Sequence, residues 1–329
     1  MASIIPFLPR GALAAADAPR RRGAAEFGLL APIVADPKVT DVFVNGGQVW
    51  ADRGGGPQRE PALSLGPDDA RALAVRLIGL AGRHVDESSP CVDARLGDGM
   101  RVHVVLPPVA PHGPLVSIRL PAVAPWSLDA LHAAGFLPGR TRARIAALVA
   151  ERRNVLISGA AGTGKTTLLS AMLGLAPPAE RIVVIEDVGE IRVDHPHVVS
   201  LETRQANLEG AGAIGLARLV REALRMRPDR LVLGECRGEE IRELLTALNT
   251  GHDGGAGTIH ANSLADVPAR LEALGALAGL GPGAVGRLAA SALDAVVHVE
   301  RGPAGRRVAE IGRPGLDRSG RLVIEGTAA

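Results

Sequence analysis

A small α+β unit followed by a larger α/β domain with a buried, mostly parallel sheet is the fold that the 329-residue sequence predicts. Three observations carry this. From residue 154 onward, short apolar runs rich in Val, Ile and Leu alternate with helical stretches, the pattern of strands covered on both faces. Before residue 121 the apolar runs alternate with polar residues around a single strong helical pattern. Hydrophobic residues make up 47% of the chain, enough for a real core, while aromatics are only 2%, so that core is built from Ala, Leu, Val and Ile.

The elements follow in chain order. Residues 1–25 begin with a short apolar stretch broken by prolines and carry a late run of charge, Arg20–Arg22. A signal peptide has the reverse order, so a disordered or loosely docked leader is expected. "VTDVFVNGGQVWADRGG" (39–55) reads as a hairpin around Asn45-Gly46-Gly47, where positive φ costs little. In "GPDDARALAVRLIGLAGR" (66–83), Pro67 suits a first helical turn, Asp68 and Asp69 suit the positive end of the dipole, and Leu73, Leu77 and Leu80 share a face. "MRVHVVL" (100–106) and "PLVSIRL" (114–120) alternate like strands and complete the 26–120 unit. The proline-spaced stretch 121–138 reads as a linker with a short helix. The second domain, 139–329, takes strands from "NVLIS" (154–158), "RIVVIE" (181–186), "DRLVLGE" (229–235) and "AGTIHA" (256–261), then C-terminal helices and a β-meander from 295 to 326. "GLARLVREALRMRPDR" (215–230) is an amphipathic helix whose arginines suit a solvated face.

Composition narrows the function. A net charge of +2 and few aromatics offer neither a basic patch nor stacking platforms, so direct nucleic-acid binding is not expected. Cys91 and Cys236 stand far apart and supply neither zinc spacing nor a disulfide framework, which suits a reduced, cytoplasmic protein. The uncharged run 273–286 contains Pro282 and falls short of a bilayer span, so membrane contact is expected only through partners.

"GAAGTGKTT" (159–167) satisfies G-x-x-x-x-G-K-[ST] between a predicted strand and a predicted helix, the context this motif requires. Backbone N–H groups of Gly159, Ala160, Ala161, Gly162, Thr163 and Gly164 can curl around phosphate. Lys165 reaches the β/γ-phosphates, Thr166 holds Mg²⁺, and Thr167 continues the helix start. No guanine-reading N-K-x-D follows, so ATP is favoured. "RIVVIEDVGEI" ends a strand in Glu186, Asp187 and Glu190, any of which can orient an attacking water. "DRLVLGE" ends in Glu235, placed to bind Mg²⁺ directly or through water. "TGHDGGAGTIHANS" (250–263) leaves three readings for His252 and His260: two of a metal's ligands, loop or core histidines, or, for His260, a donor that senses the γ-phosphate.

In this order, "GAAGTGKTT", "VIEDVGEI", "HPHVVSLETR", "RPDRLVLGE" and "NTGHDGGAGTIHANS" resemble the Walker A, Asp box, Walker B and His box of the type II/type IV secretion traffic ATPases. Within that superfamily the chain is similar to the tight-adherence (Tad, CpaF-like) pilus and secretion ATPases and their actinobacterial conjugal-transfer-associated relatives. The resemblance implies a RecA-like P-loop NTPase domain preceded by a smaller α+β domain. It also implies a homohexameric ring, cytoplasmic docking on inner-membrane platform proteins, and ATP hydrolysis driving pilus assembly or secretion. On it, Glu190 is the favoured water-orienting base with Glu186 second, Glu235 is the Walker B acid and His260 the γ-phosphate sensor. Arg101 and Arg119 best match the N-terminal-domain arginines that reach the triphosphate. Two positions depart from the pattern: Cys236 after Glu235, read as a small buried hydrophobe, and Ala160-Ala161 in the loop, tolerated because backbone groups hold the phosphate. A conjugation ATPase on the same fold and a nucleotide-dependent switch with little turnover are the alternatives.

Overall fold

A computed structural model describes residues 23–121, 125–204, 212–302 and 305–328. The chain divides into two compact units, Met1–Ala124 and Pro125–Ala329. Residues 1–22 of the expected leader lie outside the described residues, and Ala24 already opens a 3-10 turn, Ala24–Leu30, that buries Phe27 and Leu30. α1 (Ala31–Ala35) follows it.

In the first unit, β1 (Asp41–Asn45) and β2 (Gln48–Asp52) form the expected hairpin, with Gly46 and Gly47 at φ 55° and 102°. β3 (Pro57–Ser64) extends it, α2 (Pro67–Leu80) follows, and β4 (Cys91–Leu96), β5 (Met100–Val105) and β6 (Leu115–Arg119) complete an antiparallel sheet of order β3-β2-β1-β6-β5-β4. Leu73, Ala74, Leu77 and Ile78 of α2 join Val42, Val44, Val102, Val104, Val116 and Ile118 in one core, so the helix covers one face of this sheet. The period-2 alternation of the strands supplies those inward residues.

The second unit begins earlier than expected. α3 (Leu128–Ala133) lies inside the predicted linker 121–138, yet Leu128, Leu131, Phe136 and Leu137 are buried in the second unit's core. Of the prolines that suggested a linker, Pro121 and Pro125 precede α3 and Pro138 follows it, and burial of four large apolar side chains outweighs them. α4 (Thr141–Ala150), β7 (Val155–Ser158), α5 (Lys165–Leu173), β8 (Ile182–Glu186), β9 (Val198–Glu202), α6 (Leu216–Leu224), β10 (Arg230–Cys236), α7 (Glu240–Leu248), β11 (Ala256–Ile259), α8 (Val267–Leu277), α9 (Pro282–Ala292), β12 (Ala295–Gly302), β13 (Gly305–Leu316) and β14 (Leu322–Ala328) follow. The amphipathic helix is shorter than 215–230 because it ends at Leu224 and Arg227 takes φ 53°.

These strands form one sheet of order β14-β13-β12-β7-β11-β10-β8-β9. From β12 to β9 every neighbouring pair is parallel; β13 and β14 are antiparallel. Successive residues go to opposite faces: Ile182 and Val184 pack with α3, α4 and α5, whereas Val183 and Ile185 pack with α6 to α9. Strands buried on both faces have to read as continuous apolar runs, which is why they were visible in sequence. Among the described residues, no single helix is long and apolar enough to cross a membrane; α8 and α9 together pass such a test but meet at a 116° bend and contribute Val267, Leu271, Leu274, Val285 and Ala289 to the core.

Candidate active site

Six parallel strands bring their C-terminal ends to one edge, and that edge collects the candidate residues. Along it, β7 leads into the glycine-rich loop, β11 into His260, β10 carries Glu235 near its end, and β8 ends at Glu186. A parallel α/β sheet places ligand-binding groups there because every strand hands over to its loop at that side.

The loop 159–164 connects β7 to the first turn of α5. Gly159 is required by space. A Cβ on it would lie 2.3 Å from the Val299 carbonyl oxygen and 2.8 Å from Thr163 Oγ1, so β12 backbone presses against the loop where it begins. Lys165 is buried, and its Nζ donates to the Gly159 and Ala160 carbonyl oxygens at 2.9 Å each. Thr163 Oγ1 donates to the Ala160 carbonyl oxygen at 2.9 Å and ties the loop to itself. Ala160, Ala161 and Gly162 are exposed, and Thr166 and Thr167 are half-buried on the first turn of α5. The N–H groups of that turn point toward the loop and add to the Lys165 charge, so the cradle suits phosphate oxygens.

β10 carries a bulge between Leu233 and Cys236 that re-aims Glu235. Thr258 Oγ1 donates to the Gly234 carbonyl oxygen at 2.6 Å and pins this bulge to β11. Glu235 Oε1 then meets His260 Nε2 at 2.6 Å. Burial lowers the His260 pKa from its ordinary value, and the Lys165 charge lowers it further, against the pull of Glu235. Cys236 is fully buried in the core and its thiol is pushed well above the ordinary range by burial, so it behaves as a small hydrophobe.

Glu186 is buried, with Oε1 accepting the backbone N–H groups of Glu190 at 2.9 Å and Ile191 at 3.0 Å. Burial pushes its pKa up to about 7; the two N–H bonds oppose that shift and the Glu190 and Glu202 charges add to it. Glu186 therefore organises the loop on which half-buried Glu190 sits. Gly234 makes room for it, since a Cβ there would lie 2.7 Å from Glu186 Cγ.

Two sequence candidates belong to the first unit, and one lies before β11. Arg101 and Arg119 belong to the first unit, opposite one another on β5 and β6 and in line with Arg95 and Asp41. Arg101 pairs with Asp93 at 3.4 Å. His252 lies before β11, half-buried, with Nδ1 3.3 Å from the Ala247 carbonyl oxygen. The four residues of β11, on the order of 13 Å, separate it from His260, which removes the shared-metal reading. Three residues escaped the sequence reading. Glu202 pairs in register with Glu186, Arg237 forms an ion pair with Asp187, and buried His298 meets Ser158 Oγ at 2.9 Å. Only His298 left a signal, as a lone polar residue inside the apolar run "AVVHV".

A family profile described as type II/IV secretion system protein matches residues 67–303. A Mycobacterium tuberculosis protein named for conjugal transfer is 48% identical over 292 residues, 86% of this chain and 83% of that protein. The type IV secretion system protein PtlH of Bordetella pertussis is 34% identical over 275 residues, 75% of this chain and 80% of its own length. Among solved structures, the Legionella pneumophila ATPase DotB matches with a TM-score of 0.59 at 19% identity, over 94% of this chain and 82% of that one. That likeness supports the two-domain RecA-like fold.

Proposed function

The chain belongs to the type II/IV secretion system protein family, and from that premise we propose that it is an ATPase that powers a pilus-assembly or secretion machine. One observation carries the reading: a phosphate cradle around Lys165 shares one sheet edge with the His260–Glu235 pair and the Glu186–Glu190 loop. A site that only bound nucleotide would need the cradle alone. The added carboxylates give it groups that orient water.

ATP is the substrate. Lys165, whose Nζ now rests on two loop carbonyls, turns to the β/γ-phosphates when they arrive. Glu190 orients the attacking water, Glu186 holds its loop, and His260 senses the γ-phosphate and passes its presence to Glu235. Thr166 and Glu235 are the residues that would hold Mg²⁺. The donor set fits that ion: a hydroxyl and a carboxylate are hard oxygen ligands, and Mg²⁺ is commonly held by one or two protein oxygens together with phosphates and waters. Bound there, it would neutralise charge on the phosphates.

At the assembly level the reading is a homohexamer at the inner face of the cytoplasmic membrane, docked on platform proteins, with Arg101 and Arg119 completing composite sites. The names of its relatives support a conjugal-transfer or type IV secretion setting, and the narrower tight-adherence assignment rests on the motifs alone. The domain boundaries proposed with it are 26–120 and 139–329, moved at the second boundary to include α3.

The test is phosphate release from Mg²⁺-ATP by the full chain beside a Lys165→Ala variant. The variant is expected to lose ATP binding or turnover. Undiminished activity without the Lys165 amine would sink the phosphate-cradle assignment.

A further inference from the structure

We propose that His298 is a positioning residue that ties the segment carrying His260 to the base of the phosphate loop. This rests on the nucleotide reading of the site and goes beyond it by naming the link between cradle and sensor. The ring is 3% exposed and sits on β12, directly in register with Ser158 of β7. Ser158 is the last residue before Gly159. One ring nitrogen, Nδ1, meets Ser158 Oγ at 2.9 Å. The ring also lies against the backbone of Asn262, two residues beyond His260, and Ser158 is in register on its other side with Ile259, the residue before His260. The residue after it, Val299, presents the carbonyl that leaves no room for a Cβ at Gly159. One buried side chain therefore touches the strand end that launches the phosphate loop and the segment that follows the phosphate-sensing histidine.

Chemistry suits the task. Burial lowers the ring's pKa, so near neutral pH it is uncharged, with one N–H donor and one acceptor. Nδ1 shares a hydrogen bond with the Ser158 hydroxyl, and the Asn262 backbone favours the protonated ring. An apolar side chain of similar size would fill the space and lose both polar contacts. The cradle would keep its shape through Lys165 and Thr163, while the His260 segment would lose its fixed distance from it.

The experiment compares wild-type protein with His298→Leu, His298→Gln and Ser158→Ala. Affinities for ADP and for a non-hydrolysable ATP analogue are measured with Mg²⁺, and thermal unfolding serves as the control for folding. ADP needs the cradle alone; the analogue adds the γ-phosphate that His260 faces. His298→Leu is expected to leave ADP affinity within about twofold and weaken the analogue about tenfold, the scale of lost buried hydrogen bonds. Ser158→Ala should show the same selective loss in smaller measure. Gln carries both a donor and an acceptor, so His298→Gln should restore the wild-type preference. Equal weakening of both nucleotides, or no change in either, overturns the proposal. Wild-type protein that binds neither nucleotide overturns the nucleotide reading, and this proposal with it.

Discussion

Glu186 and Glu190 differ by only four positions in sequence, and the structure gives them different tasks. Glu186 is buried with its carboxylate closing the turn, while Glu190 is the half-buried acid that the turn presents. Glu190→Gln is expected to keep ATP binding and lower turnover by about 10²–10⁴, the usual worth of a general base. If instead only Glu186→Gln does so in a phosphate-release assay, the two roles are exchanged. Glu186 also makes a pH prediction. Its folded pKa, about 7, lies above the ordinary 4.5, so between those values the folded state holds a proton that the unfolded state has lost. Its contribution is thus fully present below pH 4.5 and is lost as pH rises through 7, by at most about 3 kcal/mol. Glu186→Gln should flatten that slope in urea unfolding measured across this window. Neither the burial nor the shift was legible in sequence, where three carboxylates simply ended a strand.

At the scale of elements, the site depends on β8, β10 and β11 staying in register, and a buried ion cluster holds them from the opposite edge. Arg230, at the start of β10, is 2% exposed; its Nε donates to Glu180 at 2.5 Å and its Nη2 to the Val149 carbonyl oxygen at 3.0 Å. Arg152 joins the same carboxylate and donates to the Asp229 carbonyl oxygen at 2.6 Å. Glu180→Ala would leave the Arg230 charge buried against carbonyls only, at a cost of about 3–5 kcal/mol. Thermal unfolding should show a clear drop for that variant and recovery when Arg230→Met is added. An unchanged midpoint would show that the carbonyls alone satisfy Arg230. In sequence these three residues look like ordinary strand-end and loop charges, because their meeting depends on where α4 ends and where β8 and β10 begin.

At the scale of the whole molecule, the proposed motor needs copies of itself. Light scattering with Mg²⁺ and a slowly hydrolysed ATP analogue is expected to show a sixfold mass. Arg101→Ala and Arg119→Ala should lower turnover, up to the 10³–10⁵ associated with arginine fingers, while ADP affinity stays near wild type. A persistent monomer with full turnover would remove the composite-site reading and return both arginines to the sheet surface.

By itself the sequence determined the two fold classes, the ordered motifs and most strands of the second unit. Those features are local: a strand buried on both faces must be continuously apolar, and a phosphate loop must place its glycines and lysine at set spacing. Strands β3 and β4 were missed because their residues alternate with many polar ones, and the short helix expected within 121–138 was not assigned to the second unit because its burial there leaves no local signal. Only the tertiary structure decided which side chains meet. The parallel order β12-β7-β11-β10-β8-β9 sets His260 against Glu235 and His298 against Ser158. Those contacts join residues from separate strands and turns, and no spacing along the chain encodes a hydrogen bond that packing creates.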